Sequence, residues 1–116
     1  MIEAQIGYNT LTIKLEDNSS ARALKDLLAK GPLTVKMHDY NNFEKVGELG
    51  TSLPQNNESI TTEPGDVILY QGTSITIYYD VNTWNFTRIG AIQNLTKEEL
   101  KAILGDRDVT VTFNLK

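Results

Sequence analysis

Between Glu63 and Gly90 the chain reads EPGDVILYQGTSITIYYDVNTWNFTRIG, and this stretch limits the fold more than any other. Pro64-Gly65 suits the centre of a type II turn, because proline presets φ and glycine accepts the positive φ that follows. Three strands are then expected, at Asp66–Tyr70, Ser74–Tyr79 and Asn85–Ile92, with reversals at Gln71-Gly72 and Asp80–Thr83. A β-meander this dense makes the protein mainly β. It also gathers Tyr70, Tyr78, Tyr79, Trp84 and Phe86 around Arg88, the one cation of the segment.

The flanks extend the pattern. Ile2 to Leu15 predicts two short strands about Gly7-Tyr8-Asn9. Asp17 and Asn18 offer N-caps to a helix through SSARALKDLLAKG, whose apolar stripe is Ala21, Leu24, Leu27 and Leu28. Gly31 and Pro32 end it. Leu33–His38 alternates, with Leu33, Val35 and Met37 inward and Thr34, Lys36 and His38 outward. Asp39–Pro54 is less regular, with one short strand expected at Lys45–Leu49. Gln55–Thr62 is polar, Asn-rich and without period, and reads as a surface loop. A second helix is expected from a capping box at Thr96-Lys97-Glu98-Glu99, stapled by Leu95 and Leu100 and closed by Gly105. Asp108–Lys116 alternates as a last strand.

About eight strands with only two helices exclude a doubly wound α/β fold. They suit a closed or nearly closed barrel with a helix over each open end. The 116 residues fit a single domain over 1–116, large enough to fold without disulfide or metal. The absence of Cys excludes thiolate metal sites and thiol catalysis.

A net charge of −4, with the Lys and Arg scattered, argues against nucleic acid as a partner. No apolar run approaches the roughly 18 residues of a membrane span. The opening strand pattern is not that of a signal peptide. The chain as written is therefore expected to be cytoplasmic, or exported or lipoprotein-anchored if a signal segment was removed.

Candidate chemistry is sparse. His38, the only His, falls on an outward strand face, and one His with no Cys does not make a transition-metal site. No metal or cofactor is expected. Asp39, Glu44 and Glu48 would serve glycoside hydrolysis only at a fixed separation, which the sequence does not set. There is no nucleophile elbow, phosphate loop or dinucleotide fingerprint. The sequons at Asn18, Asn57, Asn85 and Asn94 are explained by the abundance of Asn. The aromatic stretch remains. Phe86 and Arg88 share a strand face, so a guanidinium beside aromatics could take an extended peptide or a planar anionic ligand.

LEDNSSARALKDLL, FEKVGELGTSLP, GDVILYQGTSITIYY with TRIG, and VTVTFNLK together resemble the bacterial cyclophilin-like domain family, from Ile2 to Leu115. The resemblance implies an eight-stranded barrel capped by two α-helices. It also implies that such domains occur alone, behind lipoprotein signals or joined to flavodoxin-like domains, with activity generally unassigned. True cyclophilins carry an Arg in a Phe-His-Arg strand, which weakens the prolyl amide bond, and then a Phe-x-x-Gln-Gly-Gly stretch. Here the third strand reads Leu33-Thr34-Val35-Lys36-Met37-His38, and Phe43-Glu44-Lys45 offers Lys where a planar donor fork is needed. The expectation is a non-catalytic domain binding a peptide or a small anionic or aromatic ligand. Its site residues would be Arg88, Trp84 and Tyr70, with Glu44, Lys45 and His38. A weak prolyl isomerase, or a module working with a flavodoxin-like protein, are the alternatives.

Overall fold

A computed structural model describes residues 1–40 and 44–116. Phe43, compared above with the isomerase motif, lies outside the described residues. The elements follow the order β1 (Ile2–Ile6), β2 (Asn9–Leu15), α1 (Ser19–Ala29), β3 (Leu33–Tyr40), β4 (Glu44–Glu48), β5 (Glu58–Thr61), β6 (Asp66–Tyr70), β7 (Ser74–Tyr78), β8 (Thr83–Ile92), α2 (Lys97–Leu104) and β9 (Val109–Leu115).

Eight strands, in the order β2-β1-β9-β3-β4-β7-β6-β8, form an antiparallel barrel. It closes where β8 returns to β2 through Ile13↔Ile92, Lys14↔Ala91 and Leu15↔Gly90. Gly90 is required at this seam. A Cβ there would run into the carbonyl oxygen of Lys14 and stand 3.2 Å from the Leu15 Cα.

The interior is aliphatic because period-two alternation sends one face of every strand inward. Ile2, Ile13, Val67, Ile75, Ile77 and Phe113 are wholly buried there. Each helix contributes to the same core, through Leu24 and Leu28 of α1 and Leu100 and Leu104 of α2. The two helices cap opposite ends. α1 delivers the chain to Leu33, which pairs with Phe113, whereas α2 delivers it to Val109, beside Met37 at the far end of β3. Asn18 caps α1 by accepting from the Ala21 N–H at 2.8 Å, and its amide donates to the Arg88 carbonyl at 2.9 Å. At α2 both hydrogen bonds of the Thr96–Glu99 capping box are present. Among the described residues no helix is long and apolar enough to cross a membrane.

Two expectations are corrected. Gln55–Thr62 is not wholly loop, since Glu58–Thr61 pairs with Thr83–Phe86. Ile60 is the only apolar residue of β5, so its sequence lacks any strand period. The strand exists because the first half of β8 extends past its pairing with β6 and offers unpaired backbone. β3 also runs on to Tyr40, two residues further than its apolar alternation reaches.

Candidate functional site

Alternation along the wall of β6, β7 and β8 divides its side chains cleanly. Val67, Leu69, Ile75, Ile77 and Ile89 belong to the barrel core, while Ile68, Tyr78 and Phe86 form a second buried cluster on the outer face, with Ile60 of β5 packed against it. The outer face is therefore not a plain solvated surface. It carries a groove of about 420 Å³, lined by Tyr40, Glu44, Val46, Tyr70, Gln71, Ser74, Thr76, Tyr78, Asn82, Trp84 and Phe86.

The groove has a floor and a rim. Phe86 and Tyr78 lie at the bottom, 4% and 2% exposed, with ring centroids 5.5 Å apart. Tyr70 meets Phe86 edge-on at 6.4 Å. Around them Trp84, Tyr40 and Tyr70 keep 63%, 53% and 39% of their surface exposed. Strand register explains the gathering. Tyr40↔Glu44 and Glu44↔Tyr78 put one residue each from β3, β4 and β7 in a row, and Trp84 sits opposite Ile60.

Glu44 is the one charged residue among the described residues lining the groove. Burial lifts its carboxyl above the ordinary value. A hydrogen bond with the Tyr78 hydroxyl pulls the other way, and the negative charge of Asp39 adds to the lift. Burial likewise pushes the Tyr78 hydroxyl above the usual phenol range, with the neighbouring Glu44 carboxylate reinforcing the shift against the Asn82 amide.

The six residues expected at a site fall in four places. Tyr70, Trp84 and Glu44 meet in the groove. Lys45, one residue from Glu44, points into the barrel and is fully buried, 3.2 Å from Asp39 and donating to the Arg107 carbonyl at 2.6 Å. Tyr79 donates to the same Asp39 carboxylate. Asp39 thus faces inward while Glu44 faces the groove, so these carboxylates do not form an acid pair across one cleft.

Arg88 is turned elsewhere. Its Nη2 lies 3.1 Å from Asp66, and it borders a separate polar hollow of about 340 Å³ with Glu16, Asp17, Asn18, Asn56 and Glu58. His38 is exposed on β3. His38↔Val46, Val46↔Thr76, Ile68↔Thr76 and Ile68↔Arg88 place His38 and Arg88 at opposite ends of one row. Four strand spacings of about 4.8 Å separate them by roughly 19 Å along the sheet. A guanidinium beside aromatics in one groove is not what the fold builds. Tyr40 and Asn82, absent from the expected set, join the groove, Tyr40 through its pairing with Glu44 and Asn82 through its amide, which donates to the Tyr78 hydroxyl at 3.4 Å. Among the described residues no group of three or more His, Asp or Glu is placed to hold a metal ion.

This barrel with its outer-face groove is of the cyclophilin-like class. The chain belongs to the cyclophilin-like family, whose model matches residues 4–114. No curated protein matches the chain in sequence. In structure it is similar to McbB, solved in complex with tryptophan, with 17% identity and a TM-score of 0.71 over 100% of this chain and 45% of McbB. It is also similar to the hypothetical protein AF2241 from Archaeoglobus fulgidus, solved in solution, with 12% identity and a TM-score of 0.69 over 99% of this chain and 93% of that one. The chain therefore spans under half of McbB and nearly all of AF2241. At these identities the likeness is one of fold.

Proposed function

We propose that the protein is a non-catalytic binding domain whose outer-face groove takes a small ligand, or one peptide side chain, through an aromatic or apolar group. The observation that carries this reading is the rim of Trp84, Tyr40 and Tyr70, left exposed around a buried aromatic floor. Exposed rings scattered singly would be ordinary, but rings gathered at one concavity mark a recognition surface. The volume suits one ring with a short substituent. McbB, of which this chain matches 45% at 17% identity, has been solved in complex with tryptophan, an aromatic amine.

The reading assigns Tyr70, Trp84 and Glu44 to the site and leaves Arg88, Lys45 and His38 outside it. Prolyl isomerase chemistry would require a donor fork against the substrate amide, and no Arg lines the groove among the described residues. No flavodoxin-like partner is required.

Titration calorimetry with a panel of ring-bearing amines, alcohols and acids tests the proposal. Trp84→Ala and Tyr70→Ala are each expected to weaken the panel's best binder by about ten-fold, while leaving folding stability within about 0.5 kcal/mol. Unchanged affinity in both variants would remove the groove from consideration as the site.

A further inference from the structure

The charge of the groove narrows its ligand further, and this step rests on the binding reading above. Among the described lining residues there is one carboxylate and no cation. Five aromatic side chains, Tyr40, Tyr70, Tyr78, Trp84 and Phe86, surround the same space, and each ring face presents negative potential. The one guanidinium of the meander is held by Asp66 outside the groove, and the ammonium of Lys45, the residue after Glu44, is sealed inside the barrel against Asp39. Neither neutralises the groove for a ligand. An anionic ligand would meet Glu44 and the ring faces with nothing to receive it. We propose that the groove selects organic cations, with an amine or guanidinium set against Glu44 and the rings holding the rest of the ligand.

The surroundings of Glu44 fit this role. Tyr40 faces it from β3 and Tyr78 from β7, with the negative Asp39 behind it and the paired Lys45 on the opposite face of its own strand. Its carboxylate is partly desolvated and strained towards the neutral form, so a cation restores a charge balance that the protein leaves incomplete. Binding of a cation should tighten as pH rises through the titration of Glu44.

The test compares three probes of one shape, 2-phenylethylamine, 2-phenylethanol and 3-phenylpropionate, with Trp84 fluorescence as the readout. This is practical because Trp84 is the only Trp. The amine is expected to bind about ten-fold more tightly than the alcohol, and the carboxylate most weakly. In Glu44→Gln, the amine should fall to the level of the alcohol while the alcohol is unaffected. N-acetyl-lysine methylamide separates the sources: binding comparable to the free amine assigns the cation to a peptide side chain, and binding by the amine alone assigns it to a small molecule. Equal binding of the three phenyl probes, or preference for the carboxylate, overturns the charge selection but leaves the aromatic groove standing. Silence from every probe overturns both. If Glu44→Gln folds poorly by circular dichroism, the pH dependence of amine binding to the parent decides, since a flat profile is incompatible with the carboxylate's role.

Discussion

Along β7, Ile75 and Ile77 are wholly buried in the barrel, while Thr76 and Tyr78, one residue away in each case, line the outer groove. β4 shows the same division with charges. Lys45 points inward, paired with Asp39 and donating to the Arg107 carbonyl, whereas Glu44 points outward and is the single charge among the described residues lining the groove. Inside, among the described residues, the core is apolar and the one buried ammonium, that of Lys45, is matched by Asp39, because an unmatched charge there would cost several kcal/mol. Outside, rings are left partly exposed, and among the described lining residues no cation accompanies the Glu44 carboxylate. The same wall thus carries one face closed into the core and one that opens on a groove, and the proposed binding role rests on the second.

The contrast can be broken from the inside first. Asp39→Ala leaves the Lys45 ammonium buried beside a lone carbonyl, and is expected to cost about 3–5 kcal/mol in denaturant unfolding. A loss under about 1 kcal/mol would mean that the pair is not the matched charge described here. Second, Gly90→Val drives a branched side chain into the Lys14 carbonyl at the closing seam, with an expected cost of about 1–3 kcal/mol or more. Protection of the β2–β8 amides in hydrogen exchange should fall before that of β3–β9.

The smallest effect sharpens the outer face. Because Glu44 binds its proton more tightly when folded, the native state holds more protons than the unfolded state between the ordinary carboxyl value of 4.5 and the raised one. Stability contributed through this residue is therefore full below pH 4.5 and declines as pH rises through that window. Glu44→Gln should gain on the parent in melting temperature as pH rises, and the difference should vanish in acid. A constant difference at all pH values would show that Glu44 is not desolvated by the groove.

Much of this was legible in the sequence, because the signals are local. The apolar run Val67–Tyr70 and the alternation of Ser74–Tyr78, each bounded by turn residues, mark two strands, and the period of two says which side chains share a face. Asn18, Thr96 and Gly105 mark helix ends through single hydrogen bonds or one dihedral angle. β5 escaped notice because its polar residues have no strand period and it is made by the overhang of β8. The groove was only partly readable. Tyr70, Trp84 and Glu44 were expected together and lie together, but Arg88 was expected beside them and is drawn to Asp66, a residue distant from it along the chain.

Sequence alone determined every element but β5, with the helix caps and the two strand faces, since each of these depends on neighbours a few residues away. Tertiary structure decided which strands lie side by side. That choice set Tyr40, Glu44 and Tyr78 in one row, carried Lys45 to Asp39, and parted His38 from Arg88 by four strand spacings. Lateral pairing follows from closing the barrel around a shared core, and a period of two residues holds no record of it.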